Sequence, residues 1–154
     1  MSKAPNFEKH YKSSSEKASR NLAKIKGTET AGEKLLRSTL WKLGLRFRKN
    51  VKSLPGKPDV VFPREKVAVF CDGDFWHGRN WAKDRRRLKQ GSNAPYWLAK
   101  IAANRGRDKR YNKELERLGW VVIRIWESDV RADPRRAAEV VAQAVLSRRG
   151  SGTA

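Results

Sequence analysis

The amino-acid sequence predicts an α/β domain in which a mixed sheet is flanked by helices. Two short apolar runs, 60–62 and 67–71, are separated by the polar turn 63–66, a pattern typical of a buried hairpin. A third apolar run, 120–126, is nearly continuous, which is typical of a strand in the centre of a sheet. Capping residues and helical periodicity occur before the hairpin and on both sides of the third run.

Capping signals and glycine positions predict the remaining elements. Thr30 and Glu33 form a capping box, which predicts a helix that ends near Leu43, just before Gly44. The other predicted elements are an edge strand over 45–50, a long helix over 95–118 and a last helix that starts at Asp133 and Pro134.

The length of 154 residues suits one domain with a single core. We expect residues 1–18 to be a flexible basic arm, residues 19–148 to be the folded domain, and residues 149–154 to be a disordered tail. No apolar run approaches bilayer thickness and no signal peptide opens the chain. The sequence therefore predicts an intracellular protein that does not enter a membrane.

Positive charge dominates the composition, with 36 Lys and Arg residues against 16 acids and a formal net charge of +20. So large a charge on a small domain repels itself, and an acidic partner relieves that repulsion. The run 79–91 contains six cations and one acid and has no apolar face, as expected of a segment that lies on phosphate. Nucleic acid is therefore the partner that the composition favours.

Polar groups gather at the ends of the two hairpin strands. Asp59 heads the first strand, whereas Asp72, Asp74 and His77 follow the second. A hairpin brings the start of one strand beside the end of the next, so these groups should share one edge of the sheet. Buried acids at such an edge need a cationic partner, and a divalent ion with oxygen ligands is the natural candidate.

Two segments of this region carry a family resemblance. "SLPGKPDVVF" and "VAVFCDGDFWHG" resemble the very-short-patch repair (Vsr) endonucleases of the PD-(D/E)XK nuclease superfamily, and the similarity extends over roughly residues 19–131. It implies an Mg²⁺-dependent enzyme, with one or two ions, that nicks double-stranded DNA on the 5′ side of the thymine in a T:G mismatch. It also implies a monomer in the bacterial cytoplasm, associated with the nucleoid, with repair or methyltransferase proteins as partners.

The resemblance implies a role for each polar residue of the site. Asp59 and the backbone carbonyl of Cys71 would bind the metal, and Asn104 would reach it through water. His77 would act as general acid or base. The acid and the lysine of the usual superfamily motif fall at Cys71 and Gly73, where neither residue type is present, and this absence places more of the chemistry on His77.

Two acids have a structural interpretation as well as a catalytic one. Glu33 either positions the metal-bound water or only caps its helix, and one carboxylate is able to do both. Asp72 is either an outer ligand of the metal or part of a plain turn with Gly73.

DNA-binding residues follow from the same resemblance. Leu22 would be a minor-groove wedge, or else only an anchor for the arm. Phe75 and Trp76 would intercalate from the major groove, although adjacent aromatics are also common in cores. The cations expected on the DNA backbone are Arg79, Lys83, Arg85, Arg86, Arg87, Lys89, Arg105, Arg107, Lys109 and Arg110.

Zinc is where the sequence departs from the resemblance. Vsr enzymes commonly hold a structural zinc near this segment, but the chain has one cysteine and two histidines, too few for a Cys/His cage or an internal disulfide. The corresponding positions carry Asp74, Arg79, Trp81 and Ser128. We therefore expect no structural zinc.

Two other functions stay open at this point. One is a nickase of a DNA-defence or modification system with a different specificity. The other is a DNA-binding module whose nuclease site has decayed. The presence of both Asp59 and His77 beside apolar strands argues against decay, because an inactive site has no use for both groups.

Overall fold

The computed structural model of the protein describes residues 30–74, 77–89 and 93–151. Its helices are α1 (Ala31–Lys42), α2 (Trp81–Leu88), α3 (Ala94–Arg117), α4 (Glu127–Ala132) and α5 (Pro134–Ser151). Its strands are β1 (Arg48–Lys49), β2 (Val60–Phe62), β3 (Val67–Asp72) and β4 (Val121–Trp126).

One four-stranded mixed sheet organises the described residues, in the order β1-β2-β3-β4. β2 pairs antiparallel with β1 and with β3, whereas β4 runs parallel to β3, with Cys71 opposite Ile125. Helices α2 and α3 form the connection between the two parallel strands. The predicted hairpin and the α/β class, a mixed sheet flanked by helices, are confirmed.

The expected central position of the run 120–126 is wrong for this sheet. Among the described strands β4 lies at one edge of the sheet, as β1 lies at the other, and it pairs on one side with β3. Its apolar residues are continuous because helices cover both of its faces. Ile123 packs into the cluster beneath α1 and α5, while Val122 packs with Leu115 of α3. Burial of the faces, and not the position of the strand in the sheet, produces the pattern.

Alternation along β3 separates the molecule into two layers. Val67, Val69 and Cys71 belong to the cluster that contains Leu36 of α1 and Val141 of α5. The alternate residues Ala68 and Phe70 pack on the other face with Leu115 of α3. Because side chains alternate along a strand, the next residue on the α3 face is Asp72. An acid at the end of β3 is thereby directed towards the long basic helix.

The ends of the helices have clear physical causes. Thr30 Oγ1 accepts a hydrogen bond from the Glu33 backbone N–H at 3.2 Å, which caps α1 as predicted. Helix α5 begins at Pro134, where Asp133 Oδ1 accepts from the Arg136 N–H. It continues to Ser151, and Arg149 pairs with Glu65 of the hairpin turn at 2.9 Å. Among the described residues, no helix is long and apolar enough to cross a bilayer.

We expect Leu36→Ala to lower the free energy of unfolding by about 2–5 kcal/mol, because Leu36 is fully buried between α1 and the sheet. Its neighbour Leu35 is 36% exposed on the same helix, so Leu35→Ala is the matched control and should change stability by about 0.5 kcal/mol or less. Urea denaturation of the two variants checks this. Equal losses would contradict the assignment of the α1 face.

Candidate active site

Asp59 lies at the start of β2, where the hairpin holds it against the end of β3. Its Oδ2 atom accepts a hydrogen bond from the backbone N–H of Cys71 at 2.7 Å. Its own backbone N–H donates to Val69 O, so the main chain on both sides of the carboxylate is fixed by the sheet. The structure thus places the Asp59 carboxylate beside the backbone N–H of Cys71, the residue whose carbonyl is expected to bind the metal.

The environment of Asp59 disfavours its charge. Burial and, to a smaller extent, the nearby carboxylate of Glu33 raise the pKa of Asp59 to about 7, while the hydrogen bond from Cys71 acts in the opposite direction. Glu33 is only 3% exposed and pairs with Arg37 at 3.5 Å. The backbone N–H of Glu33 is thus capped by Thr30, while the carboxylate of Glu33 contributes negative charge beside Asp59.

A second group of polar side chains surrounds His77. The Nδ1 atom of His77 lies 2.6 Å from Asp108 Oδ2 and 3.7 Å from Asp72 Oδ1. Arg124 Nη1 donates to both oxygens of Asp72 at 3.1 Å and lies 3.5 Å from Asp108 Oδ1. The Arg124 guanidinium also stacks 4.1 Å from the centre of the Phe70 ring. Three elements, β3, β4 and α3, therefore position this cluster.

Opposing effects set the ionisation of the cluster. Burial by itself lowers the pKa of His77, but the hydrogen bond to Asp108 and the charges of Asp72 and Asp108 outweigh it, so the net pKa is raised. Burial also raises the pKa of Asp72, despite the compensating charges of His77 and Arg124. A protonated His77 is thus favoured between two acids.

Asp108 and Arg124 are site residues that reasoning from the sequence missed. Each carried a signal, since Asp108 is the only acid between residues 104 and 113, and Arg124 is the only charged residue in the apolar run 120–126. A lone charge that breaks the character of its segment often has a specific partner. Here the partners, His77 and Asp72, are distant in sequence.

A cleft of about 180 Å³ opens beside the His77 cluster. Its lining residues are Gly56, Phe70, His77, Asn104, Arg107, Asp108, Tyr111 and Arg124. Gly56 has φ of +79°, and a Cβ atom there would lie 2.9 Å from Tyr111 Cδ2, so both backbone conformation and space require glycine. Asn104, expected to act through water, thus lies in the same cleft as His77.

Comparison with known proteins identifies the family. The family model described as DNA mismatch endonuclease Vsr matches residues 10–83. A type II nicking enzyme, V.HpaIIP of Haemophilus parainfluenzae, is 44% identical over 126 residues, which are 82% of this chain and 86% of that protein. The chain belongs to the Vsr endonuclease family. DNA mismatch endonuclease Vsr of Escherichia coli K12 is 34% identical over 125 residues, 81% of this chain and 78% of that protein.

A further Vsr-family relative, type II nicking enzyme V.NmeDIP of Neisseria meningitidis serogroup C, is 44% identical over 127 residues, 82% of this chain and 83% of that protein. Membership in the Vsr family confirms the resemblance and the PD-(D/E)XK fold class that it implied. It also makes this chain a DNA endonuclease by class.

The cations expected on DNA lie mainly on α2 and α3. Among them, the residues with exposed side chains are Arg79, Lys83, Arg85, Arg86, Lys89, Lys109 and Arg110, whereas Arg105 and Arg107 are half-buried. Arg105 lies over the Trp81 ring at 5.4 Å, and Arg107 donates to Asn104 Oδ1. Leu22, Phe75, Trp76 and the side chain of Arg87 lie outside the described residues.

The four positions at which the resemblance would place zinc ligands hold other contacts here. Asp74, Arg79 and Ser128 are joined by hydrogen bonds, and Arg79 also pairs with Asp129 at 2.9 Å. Trp81 starts α2 beneath Arg105. This region is thus held by charged and hydroxyl groups that are poor ligands for zinc as a set.

We expect Asp59→Asn to stabilise the metal-free protein, increasingly so as the pH rises from about 4 to 7. A carboxyl whose pKa is about 7 in the folded state and near 3.8 in the unfolded state costs stability over that interval, because the folded state binds more protons. Asparagine removes that cost and keeps an acceptor for Cys71. Thermal unfolding in EDTA at pH 5 and at pH 8 checks this. A larger gain in Tm at pH 5 than at pH 8 would contradict the assigned environment of Asp59.

Proposed function

We propose that this protein is an Mg²⁺-dependent endonuclease that nicks one strand of duplex DNA at T:G mismatches and acts in repair. One observation carries the proposal. A half-buried carboxylate, Asp59, and a histidine paired with an acid, His77 with Asp108, meet at the same end of β3. Phosphodiester hydrolysis needs a site for a cation and a group that moves a proton, and these residues supply both.

The residues around Asp59 fit a hard divalent ion. Asp59, Glu33 and Asp72 bring three carboxylates to one region, and their mutual repulsion contributes to the raised pKa of Asp59. Asp59 and the Cys71 carbonyl would hold the ion, with Asn104 acting through water, and oxygen donors of this kind suit Mg²⁺. When bound, the ion supplies charge relief on the phosphate and an acidified water.

A second oxygen-rich cluster, Asp72, His77 and Asp108, offers ligand atoms that lie within 4.8 Å of one another. Its acids are already matched by Arg124, at 3.1 Å from Asp72 and 3.5 Å from Asp108. An added cation there would be repelled by the guanidinium. We therefore propose the Asp59 side for the metal and the His77 side for proton transfer.

Within that division, Asp108 determines which nitrogen of His77 faces the substrate. Because Nδ1 is engaged by Asp108 Oδ2, Nε2 is the nitrogen that is left for DNA. The paired carboxylate favours the protonated ring, so His77 is suited to protonate the leaving oxygen. Arg124 limits the negative charge of Asp72 and Asp108, which would otherwise repel a phosphate.

Double-stranded DNA is the proposed partner, bound along α2 and α3 by the exposed cations of those helices. Leu22, Phe75 and Trp76 are proposed to wedge the mismatched step, since weakly paired steps cost less to unstack.

We further propose a monomer with one nuclease domain over 19–148, in the bacterial cytoplasm with the nucleoid, and with repair or methyltransferase proteins as partners. We also propose that the protein holds no structural zinc.

A second candidate function is favoured by the names of the relatives. Two of them, at 44% identity, are called type II nicking enzymes, whereas the Escherichia coli protein called a mismatch endonuclease is 34% identical. The alternative is therefore a nickase that serves a restriction or modification system and that requires a particular DNA sequence around its cleavage site. A decayed DNA-binding module is disfavoured because Asp59 is retained together with the His77–Asp108 pair.

A nicking assay separates these functions. Matched and T:G-mismatched duplexes in several sequence contexts are incubated with the protein in Mg²⁺ or in EDTA. Cleavage of the mismatched duplexes alone, in Mg²⁺ alone, is the expected result. Nicking confined to one flanking sequence would indicate the restriction-linked role, and binding without cleavage in any metal would indicate a decayed site.

We expect His77→Gln to reduce the nicking rate by about 10²–10⁴-fold, the range for loss of a general acid or base. Asp108→Asn should reduce the nicking rate by a smaller factor. It should also shift the pH profile of the rate to lower pH, since Asp108 raises the pKa of His77. Glu116→Gln, an exposed acid on the same helix, is the matched control. An unchanged pH profile in Asp108→Asn would contradict the proposed pairing.

Salt should weaken DNA binding steeply. Each phosphate neutralised contributes a slope of about 0.9 in the fall of log K with log salt. Replacing Lys83 and Arg86, two exposed cations of α2, by alanine should therefore reduce the slope by about 2. Fluorescence anisotropy from low to moderate salt measures this. An unaltered slope would place α2 away from the DNA.

A further inference from the structure

The turn that carries His77 is held at both of its ends. Asp74 precedes His77 and Arg79 follows it, and the two are joined directly, since the Arg79 N–H donates to the Asp74 carbonyl at 2.9 Å. The His77 N–H donates to Gly73 O in the same turn. The backbone of His77 is therefore enclosed between two residues whose side chains lead elsewhere.

Those side chains converge on the first turn of α4. Ser128 donates through its N–H to Asp74 Oδ1 at 3.1 Å and through its hydroxyl to Asp74 Oδ2. The same hydroxyl accepts from Arg79 Nη1 at 2.6 Å, and Arg79 also donates to Asp129 Oδ1 at 2.9 Å. Asp74, Arg79, Ser128 and Asp129 thus form a closed ring of contacts, referred to below as the clasp.

Helix α4 is a firm base for these contacts. It follows β4 without a loop, and β4 carries Arg124, the partner of Asp72 and Asp108. Val130 of α4 is fully buried in the core, and Glu127 accepts from the Gly32 N–H of α1 at 3.3 Å. A side chain fixed to Ser128 is therefore fixed relative to the strand that organises the His77 cluster.

The opposite side of the turn rests on α3. Gly78, with φ of +70°, is so close to this helix that a Cβ atom would lie 2.8 Å from Arg105 Cδ and 3.0 Å from Ile101 Cγ2. Asp108 lies on the same helix, seven residues or about two turns beyond Ile101. His77 is consequently located by α4 through the clasp and by α3 through Gly78.

We propose that Asp74, Arg79, Ser128 and Asp129 are positioning residues that hold His77 in register with Asp108, so that loss of the contacts made by Asp74 and Ser128 lowers the rate of strand cleavage and not the affinity for DNA. The consequence for cleavage rests on the function proposed above. The positional consequence, that His77 leaves Asp108 when the clasp is broken, does not depend on that function.

Exposure distinguishes this role from a purely stabilising one. The side chains of Asp74 and Arg79 are 30% and 32% exposed, and that of Asp129 is 52% exposed. Ion pairs at such positions contribute little to the free energy of unfolding. A small displacement of a catalytic group nevertheless costs up to about 10²-fold in rate. Breaking the clasp should therefore slow the reaction far more than it lowers Tm.

The first test reads the position of His77 without relying on activity. The chain has two histidines, His10 and His77, so His10→Gln leaves one imidazole to follow by proton NMR titration in EDTA. Asp72, Asp108 and Arg124 are the charged groups that face it. In the His10→Gln background, Ser128→Ala and Asp74→Asn should shift its midpoint towards that of a free histidine. An unchanged midpoint in both variants overturns the proposal.

The second test separates rate from affinity. On T:G-mismatched duplex with Mg²⁺, Ser128→Ala and Asp74→Asn should lower kcat by about tenfold to a hundredfold, with Kd for DNA and Tm near wild type. The double variant should be no slower than the slower single, because the two residues act as a unit. Glu139→Gln, which breaks the exposed Arg135 pair on α5, is the control and should match wild type.

Arg79 is tested separately because its charge also attracts DNA. Arg79→Lys keeps the charge but loses the planar fork that spans Ser128 and Asp129. The proposal expects a lower kcat with an unaltered salt slope. A weaker Kd with an unchanged kcat at saturating DNA would make Arg79 a phosphate contact and overturn its place in the clasp. If wild-type protein fails to nick any duplex, the proposed function fails, and the NMR titration still decides whether the clasp positions His77.

Discussion

Withdrawal of three carboxylates from water at one end of the sheet, with Glu33 and Asp72 buried and Asp59 half-buried, is the constraint on which the rest of the site depends. Glu33, Asp59 and Asp72 are each drawn out of water by the strands and helices around them, and each requires compensation. Glu33 has Arg37 at 3.5 Å and Asp72 has Arg124 at 3.1 Å, whereas Asp59 accepts a hydrogen bond from the backbone N–H of Cys71. Desolvation, followed by the charge of Glu33, raises the pKa of Asp59 to about 7, and a divalent ion bound there would offset this concentration of negative charge.

The alternation of β3 converts this constraint into two separate functions. Cys71 turns its side chain into the core beneath α1, so its backbone N–H is left to meet Asp59. Asp72 turns to the other face, towards α3, where Arg124 and His77 lie. Adjacent residues of one strand therefore serve a proposed metal position and a proposed proton-transfer position, and the sheet fixes the separation between them. A shift of register by one residue would exchange the two faces and destroy both positions.

Local signals explain which parts of this arrangement could be predicted from the sequence. The hairpin, the Thr30 cap and the meeting of Asp59 with Cys71 all depend on residues within about one turn or one hairpin of each other. Asp108 and Arg124 could not be predicted as site residues because their partners lie 31 and 52 residues away, a separation at which periodicity carries no information. Helix α4 escaped for a related reason. Its six residues are too few for a helical period, and its first turn is secured by Asp74 and Gly32 from distant parts of the chain.

The net charge of +20 and the cluster of acids have opposite effects on a DNA backbone, and under the proposed function their combination would couple the binding of metal to the binding of DNA. The cations of α2 and α3 attract phosphate all along a duplex, without regard to sequence. A phosphate that enters the site, however, meets Asp59, Glu33 and Asp72, and it is repelled until positive charge offsets them. An ion held by Asp59 would remove that repulsion, and the phosphate would in turn offer the ion further oxygen ligands. Each would therefore strengthen the binding of the other by the same factor. Affinity for DNA at large would then be a property of the helices, whereas entry of one phosphodiester into the site would depend on the ion, and hydrolysis would be confined to complexes that contain both.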